Sequence, residues 1–82
     1  MLYTDKAMAR PPELLYLAEN LRRFRVNSGI SQDELAHRCK VHRTFLGGIE
    51  RAERNVTVKT LSLIATATGV TIATLLKKGG IK

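Results

Sequence analysis

The run Gly29-Ile30-Ser31-Gln32-Asp33-Glu34-Leu35-Ala36 ends one helix and starts another. Gly29, after Asn27 and Ser28, supplies the positive φ at which a helix stops. Ser31 and Glu34 have the spacing of a capping box. The hydroxyl can accept from the backbone N–H of residue 34 while the carboxylate reaches back to residue 31. Asp33 and Glu34 in the first turn also suit the helix dipole. Leu35, Ala36 and Cys39 make the inner face of the new helix. A helix this short is not stable alone in water, so it must pack on a neighbour.

That neighbour lies upstream. Leu14, Leu17, Leu21 and Phe24 recur at steps of three and four, which is one apolar face of a helix. Pro12 suits the first helical position, where a missing N–H costs nothing. Residues 1–11 have no clean period and read as a loose N-terminal arm.

Downstream, Lys40-Val41-His42 reads as a short turn and Arg43–Glu50 as a third helix with Phe45, Leu46 and Ile49 apolar. Gly47-Gly48 inside it weakens the helix by roughly 1 kcal/mol per residue, which suggests that something approaches that backbone closely. Residues 52–55 form a loop. Thr57 can cap a fourth helix, with Val58, Leu61, Ile64 and Ala65 facing in and Gly69 as its stop. Thr71 can cap a fifth, carrying Ile72, Leu75 and Leu76 and ending at Gly79-Gly80. No strand pattern survives. The expectation is an all-α chain: an arm over 1–11, a five-helix domain over 12–78 and a tail over 79–82.

Composition narrows the function classes. The chain has 82 residues and a net charge of +7, with 44% hydrophobic residues. That is one small domain whose core is marginal, so some additional support is expected. One cysteine excludes an internal disulfide, and one cysteine with two histidines cannot fill a four-ligand Cys/His zinc site. Oligomerisation remains. The lone cysteine suits a reducing cytoplasm. Residues 56–82 carry four Lys and no acid, whereas residues 31–55 carry five Lys or Arg against four acids. Such basicity points to an acidic partner, nucleic acid or an anionic membrane surface. The uncharged stretch Thr60–Leu76 is short for a membrane span and is interrupted by Thr, Ser and Gly69, so two soluble helices explain it better. Asp5, Lys6, Arg10 and Glu13 break any signal-peptide core.

The second and third helices with their tight turn form a candidate helix-turn-helix. The motif needs a small residue where the helices cross, here Ala36, and apolar residues to lock them, here Val41, Leu46 and Ile49. The turn normally holds Gly at positive φ. Lys40 departs from this, at a cost of about 1 kcal/mol.

Residues 29–36 followed by Arg43-Thr44-Phe45-Leu46-Gly47-Gly48-Ile49-Glu50-Arg51 resemble the phage-repressor and Cro type of helix-turn-helix regulator. His42–Phe45, Gly48–Arg51 and Arg54–Thr57 are similar to the controller proteins of restriction–modification systems. The resemblance covers about residues 17–76. It implies a lambda-repressor-like DNA-binding fold and a small dimeric regulator of its own operon. The third helix would lie in the major groove. Arg43 would read a base, since guanidinium matches guanine O6 and N7, or else contact a phosphate. Thr44 would touch a base or cap the helix. Phe45 would lie near the DNA or pack beneath the helix. His42 would be the N-cap, with a phosphate or base contact as its functional alternative. Gln32, at the start of the second helix, would serve a phosphate. Arg54 and Asn55 would contact phosphate or groove, or else form a solvated turn. Gly48 cannot read a base, so specificity must lean on Arg43, Thr44 and DNA shape. Arg25 and Glu50 match an ion pair tying the first helix to the third. Arg22 and Arg23 read as a solvated face.

No catalytic residues, metal site or cofactor are expected. His37, Cys39 and His42 lack a standard ligand spacing, and no acid supports a Cys/His pair. The expected partners are a palindromic double-stranded DNA operator, a second copy through Val70, Ile72, Leu75 and Leu76, and RNA polymerase, with no membrane. Two other readings remain: an antitoxin or phage-type repressor, and a helical protein-interaction module without a specific DNA site.

Overall fold

The computed structural model describes residues 11–82. The expected arm lies outside the described residues but for Pro11. Five helices follow one another: α1 (Pro12–Ser28), α2 (Gln32–Cys39), α3 (Arg43–Glu50), α4 (Val58–Thr68) and α5 (Ile72–Leu75). No strand occurs among the described residues. α1 packs on α3 and α5, α2 packs on α3 and α4, and α4 meets α5.

The helix ends follow local chemistry. Ser31, Thr57 and Thr71 each accept a backbone N–H three residues on, at 3.0–3.1 Å. Gly29 and Gly69 close α1 and α4 at φ 66° and 77°. Lys40 closes α2 in the left-handed region at φ 60°, where the motif normally has Gly. Only half of the expected capping box forms. The Glu34 carboxylate pairs with Arg38 one turn on, at 2.9 Å, rather than turning back to residue 31.

The core is Leu17 and Leu21 of α1, Leu35, Ala36 and Cys39 of α2, Leu46 and Ile49 of α3, Leu61 and Ile64 of α4, and Leu75 of α5. Ala36 is buried where α2 and α3 cross, and the Val41 N–H donates to its carbonyl at 3.0 Å. Burial pushes the Cys39 thiol up to about 11. This fits a core packing residue rather than a reactive thiolate.

Four expectations are corrected. Val58 is 74% exposed, because as the first residue of α4 it precedes the turn that faces the core. α5 stops at Leu75, before the expected Gly79-Gly80 end, and Leu76 is its C-cap. Leu75, expected at a dimer surface, is fully buried beneath the other elements and cannot meet a partner. Residues 79–82 are not a free tail. The Ile81 N–H donates to Asn20 Oδ1 at 2.9 Å, and Asn27 donates to the Lys82 carbonyl at 3.1 Å. Gly80 lies so close to the Thr74 carbonyl that a β-carbon there would stand 2.0 Å from the oxygen.

Candidate nucleic-acid interface

α3 has an exposed start and a buried end. Leu46, Ile49 and Glu50 are buried, whereas His42, Arg43 and Thr44 at its start are exposed. The start is organised by His42, whose Nδ1 accepts the Thr44 N–H at 3.0 Å. An accepting Nδ1 leaves the neutral ring's hydrogen on Nε2. The first turn of α3 contains no acid, so the positive end of its dipole is uncompensated from within the helix.

The other end of α3 is fixed from below. The Glu50 carboxylate is 2% exposed and takes two donors from Arg25, at 2.9 and 3.1 Å. Gln32 Nε2 donates to the same carboxylate at 2.9 Å. Arg22 donates to the Glu50 backbone carbonyl. One acid thus binds α1, α2 and α3 together. Its charge-assisted bonds offset the cost of burial.

The remaining site residues lie as follows. Arg43 pairs with Asp33 at 2.9 Å, with 60% and 75% of the side chains exposed. A pair so exposed is held only weakly, and Arg43 stays available to a partner. Gln32 is half-buried, with one amide hydrogen spent on Glu50. Phe45 is half-buried against the core, and the Arg54 guanidinium lies 5.9 Å from its ring centroid. Asn55 is exposed in the loop that follows. Val70, Ile72 and Leu76 are half-buried at the edge of the core.

Sequence reasoning missed three features. Arg22, on an exposed face as expected, also donates to the Glu50 carbonyl at the end of α3. Nothing in its spacing marks that bond. Asn20 is fully buried, and its position inside the apolar stripe of α1 was the available signal. Ala52 adopts φ 59° and turns the chain out of α3, with no Gly or Asn to mark the place. Among the described residues, no group of three or more His, Cys, Asp or Glu could hold a metal ion. No helix among them is long and apolar enough to cross a membrane.

Two short helices crossing at a left-handed turn, the second with a buried apolar side and an exposed basic start, define a helix-turn-helix domain. The helix-turn-helix family model matches residues 21–75. The chain belongs to that family, among the controller proteins of restriction–modification systems. Control protein C.SmaI of Serratia marcescens is 44% identical over 66 residues, spanning 80% of this chain and 79% of that protein. A solved structure of a hypothetical transcription factor from Neisseria, NHTF, superimposes with a TM-score of 0.76 at 37% identity, covering 88% of this chain and 86% of that one. The controller protein C.Esp1396I, solved as a tetramer in complex with its natural 35 base-pair operator, gives 0.68 at 32% identity over 77% of this chain and 83% of that one.

Proposed function

We propose that this chain is a sequence-specific regulator of transcription that binds double-stranded DNA as a homodimer and controls a restriction–modification operon including its own gene. The observation that carries the reading is the polarity of α3: Glu50 and Ile49 fix its far end in the core while Arg43 and Thr44 stand exposed at its start. A recognition helix needs a rigid base and a free reading edge.

In this reading Arg43 and Thr44 meet base edges, and Arg43 exchanges Asp33 for guanine acceptors. His42 offers Nε2–H to a phosphate. Gln32 offers its second amide hydrogen at the start of α2, where helix N–H groups also face an anion. Arg54 and Asn55 follow the groove. The operator-bound state of C.Esp1396I supports the same docking here. Val70, Ile72 and Leu76 supply the apolar edge of the dimer, which spaces two recognition helices about 34 Å apart on one face of a palindrome. The protein acts in the cytoplasm without cofactor or catalysis, and RNA polymerase is the partner through which operator occupancy alters transcription.

The test is selection from a random duplex pool at about 150 mM salt, a concentration that suppresses purely electrostatic binding. Enrichment of a two-fold symmetric motif with half-sites about 10 base pairs apart is the expected result. Retention without any enriched motif would refute the regulator reading. Sedimentation of Leu76→Glu checks the interface: a monomer is expected, and a persisting dimer moves the interface elsewhere.

A further inference from the structure

The middle of α3 carries no reading side chain. Gly48 stands there, and glycine offers a base only backbone. Arg54 lies across it. A β-carbon built on Gly48 would stand 2.6 Å from Arg54 Cγ and 3.1 Å from its Nε, closer than real atoms pack. One turn earlier on the helix, the Phe45 ring receives the Arg54 guanidinium at 5.9 Å, within cation–π range. Phe45 and Gly48 are three residues apart and so share a helix face.

The loop is built to bring Arg54 back over that face. Ala52 takes φ 59°, and the Glu53 N–H donates to the Gly48 carbonyl at 2.8 Å. Glu53, the acid beside Arg54, is taken by Arg51 at 3.0 Å. Arg22, Arg23, Arg25, Arg38, Arg43 and Arg51 each meet a protein oxygen. Arg54 has no carboxylate partner among the described residues. A ring face and a notch in the helix hold its position while its donors meet no protein oxygen among the described residues.

We infer that Gly48 and Phe45 form a seat for Arg54, and that Arg54, supplied from the loop, reads a base where a side chain at position 48 would otherwise do so. Arg54 is then a specificity residue with a guanine-type pair of acceptors as its ligand, and Gly48 and Phe45 are positioning residues. The inference rests on the regulator reading and deepens it.

The experiment repeats the duplex selection and measures binding to the selected operator and its single-base variants for wild type, Arg54→Lys, Arg54→Ala, Gly48→Ala and the double variant. Arg54→Lys keeps the charge, so its salt dependence should match wild type while discrimination at one base pair of each half-site falls about tenfold. Gly48→Ala favours the helix, and its melting curve checks that the fold is intact. It should lose about the same discrimination at the same base pair, as expected of a displaced guanidinium. In the Arg54→Ala background it should add no further loss, the signature of coupled residues. The inference is overturned if Arg54→Ala weakens all sequences alike, if Gly48→Ala leaves that base preference unchanged, or if the two losses add. If wild type enriches a motif and the variants enrich the same one, this inference alone fails. If wild type enriches none, the regulator reading fails with it.

Discussion

Glu50 and Asn20 are both buried polar side chains that tie α1 to another part of the chain, yet one is charged and the other neutral. Glu50 ends α3, and its carboxylate collects donors from Arg25 and Gln32. Arg25 keeps 24% of its side chain in water, so the pair is not wholly desolvated. Asn20 faces α5 and the segment after it. The two hydrogens of its Nδ2 are shared among the carbonyls of Leu75, Lys77 and Thr74, at 2.8, 2.9 and 3.2 Å, and its Oδ1 accepts from Ile81. The helix after Thr71 lasts one turn and leaves the Leu75 carbonyl without a backbone partner, which a neutral amide can satisfy without the penalty of a buried ion. The contrast teaches where charge is worth burying. The ionic anchor fixes the direction of α3 against α1 and α2. The neutral anchor closes a chain end, where only backbone hydrogen bonds need completing.

Removing Glu50 is the strongest way to test that difference. Glu50→Ala strands Arg25 and frees Gln32, and should cost about 3–5 kcal/mol in urea unfolding. An unchanged melting temperature would show that the ionic anchor holds nothing. Asn20→Ala leaves the Leu75 carbonyl and the Ile81 N–H unpaired and should cost about 2–3 kcal/mol. Amide exchange should quicken at Ile81 while α3 stays protected. Equal loss of protection in α3 would make the two anchors one cooperative unit.

Two smaller changes lie outside both anchors and serve as controls. Lys40 holds φ 60° at the turn of the motif, so Lys40→Gly should raise stability by about 1 kcal/mol. A lowered melting temperature would mean that the lysine side chain contributes more than its backbone strain costs. A last control concerns alkaline pH. Burial raises the Cys39 pKa from 9.0 to about 11, so the folded state holds the thiol proton more tightly than the unfolded state. Its contribution is complete below pH 9 and is lost as pH rises toward 11. Wild type should therefore lose more stability than Cys39→Ala across that window, as followed by circular dichroism. Parallel curves would contradict the assignment.

Much of the fold was legible because its signals are local. Ser31, Thr57 and Thr71 cap their own helices, and the stripe Leu17, Leu21 on α1 needs only a period. The candidate site was legible in part. His42, Arg43 and Thr44 follow from their place at the start of α3. The capping box forms only by half because Arg38, four residues on, competes for Glu34, a pairing whose spacing is itself local. Leu75 was misplaced for a related reason. Apolar residues of a short helix read alike whether they face their own core or a second copy, and only packing tells them apart.

By itself the sequence determined the all-helical class, the positions of the N-caps of α2 to α5, and the basic, cysteine-poor character that points to an acidic partner. Each of these depends on residues a few positions apart. Only the tertiary structure decided that Arg22 holds Glu50, that Asn20 retains Ile81, and that Arg54 returns over Gly48 and Phe45. Those contacts join side chains to partners on other elements. They depend on how helices cross and how a loop turns at Ala52, and no local spacing encodes them.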